Sequence, residues 1–108
     1  MSIIVVICTV PEEQSAIIAK KLLKEKLAAC ITLIPGAISY YFWQNKLECA
    51  NEVQMLIKCD EIHQEPLLNF LKLIHPYEIP EILVIPIKYV DPIYLSWIKE
   101  SLLKKTKL

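Results

Sequence analysis

Arginine is absent from this sequence: all twelve basic side chains are lysines, balanced by twelve carboxylates. Arginine supplies the bidentate grip on phosphates and guanine edges. Its absence, with a net charge of zero, argues against nucleic acid as a partner. Glycine occurs once, at Gly36, so punctuation falls to the seven prolines. Long apolar runs are missing too. Stretches such as Ile82 to Ile87 are short and carry Pro86, whereas a spanning helix needs about 20 apolar residues in a row. No membrane partner is expected. Met1 to Cys8 carries neither a positive n-region nor a small-residue cleavage site, so no secretory signal is read and a cytoplasmic location is expected. Cysteine pairs spaced Cys-x-x-Cys are also lacking. Cys8, Cys30, Cys49 and Cys59 stand apart and read as free thiols in a reducing compartment.

What is there is apolar. Hydrophobic residues make up 55% of the 108, a length that fits one domain over 1–108. That is more apolar surface than one small chain usually hides, so subunits are expected to bury it against each other.

Ile3 to Cys8 is a β-branched run that reads as a buried central strand. Thr9 and Glu12 sit at capping-box spacing with Pro11 between them, which predicts a helix to about Leu27. Ala16, Ala19, Leu22, Leu23 and Leu27 form its expected apolar stripe. A second strand runs from Cys30 to Ile34, bends at Pro35-Gly36 and resumes from Ala37 to Trp43. Gln44-Asn45-Lys46 is a hairpin tip in which Asn45 tolerates a left-handed conformation. The third strand covers Leu47 to Cys59, with Val53, Met55, Ile57 and Cys59 on one face and Glu52, Gln54 and Lys58 on the other. Asp60 turns into a helix ending by Ile74, with Pro66 in its first turn and His75-Pro76 as its stop. Ile82 to Val90 is a fourth strand, at an edge or bulged because of Pro86. Asp91-Pro92 opens a last helix.

The order β-α-β-β-α-β-α gives an α+β, ferredoxin-like βαββαβ fold with a long hairpin and a C-terminal helix. Right-handed crossovers give the sheet order 4-1-3-2. The aromatic hairpin, Tyr40 to Trp43, is expected to meet neighbouring subunits. The first strand then lies antiparallel to the fourth, and Cys8 and His75 gather at one sheet edge near Tyr77 and Glu81. A helix N-terminus beside Cys8 would favour a thiolate, and thiolate with imidazole suits copper or zinc. The plain alternative is that Cys8 fills the core and His75 ends a helix. No assembled acid, base and nucleophile is visible, so no catalytic residue is assigned and no enzyme is expected.

Leu27-Ala28-Ala29-Cys30-Ile31-Thr32, Pro35-Gly36-Ala37, Tyr41-Phe42-Trp43, Glu52-Val53-Gln54-Met55, His75-Pro76-Tyr77, Ile79-Pro80-Glu81 and Tyr94-Leu95-Ser96-Trp97 together resemble the CutA family of divalent-cation tolerance proteins. The match spans almost the whole chain, in order. The resemblance implies a cytoplasmic homotrimer, similar in architecture to PII proteins, that binds divalent metal ions. It implies copper binding through Cys8 and His75. Where family members carry His-His-Pro-Tyr, this chain has Ile74-His75-Pro76-Tyr77, so one implied ligand is missing. A second reading is a trimeric regulatory or scaffolding module. It would bind a small anion or a protein in intersubunit clefts through Glu52, Lys58, Tyr77, Glu81 and Trp97.

Overall fold

The computed structural model describes residues 2–103. Its elements are β1 (Ile3–Val10), α1 (Glu12–Lys24), β2 (Cys30–Trp43), β3 (Lys46–Asp60), a one-turn 3-10 helix (Glu61–His63), α2 (Gln64–Ile74), β4 (Ile82–Pro86) and α3 (Pro92–Leu103). The four strands form one antiparallel sheet in the order β2-β3-β1-β4. This is the ferredoxin-like arrangement expected from the sequence, with the long β2–β3 hairpin and the C-terminal helix.

One face of the sheet is the core. Ile4, Val6, Cys8 and Val10 alternate along β1, and Val53, Met55, Ile57 and Cys59 along β3. In register, Cys8 faces Met55 and Val6 faces Ile57, so these side chains form cross-strand rows. Leu22 of α1 and Leu67 and Leu71 of α2 close over them. A smaller cluster of Ile3, Ile98 and Leu102 seats α3 at one end of the sheet.

The other face is open across its middle. There Ile7 lies between Leu56 and Leu83, and Val5 between Lys58 and Ile85. Leu83 is 54% exposed and Ile85 42%. An apolar sheet face of this kind is characteristic of an interaction surface.

Several boundaries differ from the expected ones. β1 runs on to Val10, pairing Thr9 with Gln54 and Val10 with Val53. The ladder therefore claims Thr9, and Pro11 takes the N-cap position of α1 without a side-chain cap. Helix α1 stops at Lys24, three residues early, because Lys26 adopts φ 58. Its N–H reaches Leu23 O and that of Leu27 reaches Leu22 O, a Schellman closure built on lysine. The buried stripe of α1 is Ser15, Ile18, Ala19 and Leu22, with Ala16 and Leu23 exposed. β4 ends at Pro86, four residues short, because β1 begins at Ile3: the Ile87 N–H still reaches Ile3 O, and beyond it the ladder has no strand to pair with.

Other expectations hold. Gly36 (φ 80) sits in the register shift between Ile34 and Ala37. Gln44 and Asn45 both take positive φ, as a two-residue type I′ hairpin turn requires. Asp91 Oδ2 accepts from the N–H groups of Ile93 and Tyr94, capping α3.

Candidate functional site

The edge where β1 meets β4 brings Cys8 and His75 to one place. Cys8 pairs with Ile82, the first residue of β4. Thr9 lies one residue beyond that last pair, and its carbonyl accepts from His75 Nε2 at 2.9 Å. The Tyr77 N–H donates to His75 Nδ1 at 3.1 Å. A carbonyl only accepts and an amide N–H only donates. His75 therefore carries its proton on Nε2 and its lone pair on Nδ1, and both nitrogens are engaged. The side chain is 8% exposed, and burial holds its pKa below the ordinary value, against the opposing pull of the Thr9 bond and Glu52.

Cys8 is fully buried, and its S–H points at the Thr9 carbonyl at 3.8 Å. Burial first, then the charges of Glu81 and Glu52, push the thiol up to about 12. Burial therefore opposes the expected thiolate. Helix α1 starts four positions later, at Glu12, and dipole stabilisation fades within a turn. As arranged, both groups are engaged within the chain, and a copper ion would have to displace the thiol proton of Cys8 and the Tyr77 N–H from His75 Nδ1. Among the described residues, no three His, Cys, Asp or Glu side chains converge closely enough to hold a metal ion.

The His75–Glu81 loop and the base of the hairpin enclose a cleft of about 1000 Å³. Tyr41 pairs with Glu48 across the hairpin and Ala37 with Glu52. Tyr41, Trp43, Glu48 and Glu52 line one side of the cleft, and Tyr77 and Glu81 line the other. The Tyr77 hydroxyl donates to Glu52 Oε2 at 2.6 Å. The phenol's pKa is raised, chiefly by burial and then by this bond and the Glu52 charge. Glu52 is 7% exposed.

Of the five residues expected in a cleft, Glu52, Tyr77 and Glu81 come together. Within one chain Lys58 and Trp97 lie elsewhere. Lys58 stands six residues further along β3, roughly 20 Å away at strand rise. Its ammonium donates to Thr32 Oγ1 and lies 3.9 Å from Cys30 Sγ. Trp97 stacks on Tyr94 with ring centroids 5.7 Å apart, at that same distant end. Sequence reading missed Tyr41, Trp43 and Glu48 as cleft residues. Counting back from the tip pair Trp43–Lys46 places all three on one face of the hairpin, a signal available in the alternation.

Comparison with known proteins agrees with this fold. Residues 4–101 match the family described as CutA1 divalent ion tolerance protein. A divalent-cation tolerance protein CutA of Yersinia pestis is 54% identical over 101 residues, covering 93% of this chain and 85% of that protein. The crystal structure of CutA from Xylella fastidiosa superposes with a TM-score of 0.90 at 36% identity, covering 94% of this chain and 99% of that one. A protein described as the periplasmic divalent cation tolerance protein CutA of Archaeoglobus fulgidus superposes with a TM-score of 0.88 at 34% identity, covering 93% and 98%.

Proposed function

Because the chain belongs to the CutA1 divalent ion tolerance family, we propose that it serves divalent-cation tolerance as a homotrimer that binds metal ions between subunits. The family is one of tolerance proteins, not enzymes. The observation that carries the assembly is the open sheet face, where Ile7, Leu56, Leu83 and Ile85 form an apolar surface with none of the described residues over its centre. A closed ring of three such faces buries it and leaves no complementary surface for further growth. The hairpin adds exposed Tyr40, Phe42 and Leu47 for neighbours to cover.

Metal between subunits follows from two features of one chain. Its implied pair, Cys8 and His75, is occupied by internal hydrogen bonds. Its described residues supply no set of three converging ligands. A bound divalent ion therefore draws on more than one subunit. The four free cysteines support a reducing, cytoplasmic setting, and no described helix is long and apolar enough to cross a membrane.

The test is a titration of the assembled, reduced protein with Cu(I) and Zn(II) against a competing chelator, beside Cys8→Ala. Binding of up to one ion per chain, unchanged in Cys8→Ala, supports an intersubunit site, since a homotrimer has three interfaces for its three chains. Binding of one copper per chain that vanishes in Cys8→Ala would return the metal to the buried pair. Absence of competition by either protein would remove metal binding from the function.

The second reading, a regulatory module for a small anion, draws on Lys58, whose ammonium is already hydrogen-bonded to Thr32. The carboxylates around Glu52 repel an anion at the other end of the sheet.

A further inference from the structure

We propose that the cleft between the hairpin base and the His75–Glu81 loop is a binding site for an organic cation. The inference uses residues of one chain and rests neither on the metal reading nor on the trimer.

Size comes first. A cleft of about 1000 Å³ is at the upper end of small-molecule sites and far larger than a bare ion needs. Chemistry comes second. Tyr41, Trp43 and Tyr77 contribute aromatic surface, and Glu48, Glu52 and Glu81 contribute negative charge. Among the described residues no lysine lines it. Aromatic rings and carboxylates together recognise weakly hydrated cations, because the ring quadrupole attracts positive charge.

The buried charge comes third. Glu52 is more than nine-tenths buried and faces the cleft. Among the described residues the neutral Tyr77 hydroxyl is its hydrogen-bond partner, and no cationic side chain pairs with it. A buried carboxylate without a counter-charge is costly, and a cation in the cleft supplies what is missing.

Other ligand classes fit less well. A compact metal ion needs several donors at about 2 Å, and three such donors do not converge here among the described residues. An anion meets three carboxylates. A neutral apolar molecule would leave Glu52 uncompensated. A cation with an apolar body, of the alkyl- or arylammonium kind, satisfies walls and charge together.

The experiment is calorimetric titration of the full-length protein with benzyltrimethylammonium chloride at fixed ionic strength. Benzyl alcohol serves as the neutral control and Mg²⁺ as the compact cation. Saturable binding of one ammonium ion per chain is expected. Glu52→Gln keeps an acceptor for Tyr77 but removes the charge, and should weaken binding by about tenfold or more. Tyr41→Leu, on the hairpin wall near Tyr77, should weaken it similarly and serves if the Glu52 variant does not fold. Benzyl alcohol should bind at least about tenfold more weakly, and equal concentrations of Mg²⁺ should not displace the ligand. Absence of saturation, an unchanged affinity in both variants, or displacement by Mg²⁺ would each overturn the proposal.

Discussion

Tyr77 and Glu52 are joined by a 2.6 Å hydrogen bond from the phenol to the carboxylate. It ties the loop after α2 to the base of the hairpin, across 25 residues of chain. The bond positions the cleft, because the two residues lie on its opposite walls. Tyr77→Phe removes the hydroxyl and leaves a buried carboxylate without a partner. The expected cost is about 1–3 kcal/mol, read as a lower urea midpoint at unchanged slope. Adding Glu52→Gln to Tyr77→Phe should recover part of the loss, since the orphaned charge is gone. A Tyr77→Phe protein as stable as the parent would show that the bond contributes nothing.

His75 sets a pH dependence. Burial holds its folded pKa below the ordinary value of 6.5, so the unfolded chain takes up this proton first as pH falls. The His75 contribution is therefore fully present above 6.5 and declines from there until the pH passes below the folded value. Stability should drop as the pH falls through 6.5. His75→Gln keeps a donor for the Thr9 carbonyl and does not titrate, so its drop should be smaller. Parallel pH profiles for the two proteins would remove His75 from the account.

Lys26 carries strain that glycine would relieve. At φ 58 a lysine Cβ crowds its own backbone, whereas glycine takes this conformation freely. The Schellman bonds from Lys26 and Leu27 use backbone only and survive the change. Lys26→Gly should raise stability by about 0.5–1 kcal/mol, measured by thermal or urea unfolding. Lys26→Ala, which keeps the Cβ, should not.

Thiol chemistry should follow burial. Cys8 and Cys59 are fully buried, and both thiols are pushed up to about 12, in each case chiefly by burial. Neither should react with a disulfide reagent in the native protein, and both should react on unfolding. Rapid native labelling of Cys8 would contradict the arrangement at the β1–β4 edge.

Much of this fold is written in local pattern. The β-branched run of β1, the alternation from Val53 to Cys59 and the proline stops fixed element types and the sheet order. Boundaries were lost where tertiary pairing overrode a local signal. Thr9 has the spacing of a cap but joins the β1–β3 ladder. Lys26 ends a helix that its composition would continue. The Cys8–His75 juxtaposition was legible from topology. Its chemistry was not, because both His75 hydrogen bonds involve backbone groups, which side-chain identity does not reveal. Glu52 and Lys58 share a strand face, yet within one chain they lie far apart along it, a separation that alternation alone does not convey.

The open sheet face is the centre of the account, and the mass of the protein in solution tests it most directly. Sedimentation equilibrium should give three times the 12.5 kDa chain mass. Leu83→Lys, which places a charge beside Ile7 on that face, should lower the mass toward the single chain. A parent protein sedimenting at 12.5 kDa, or a Leu83→Lys variant assembling as tightly as the parent, would contradict it.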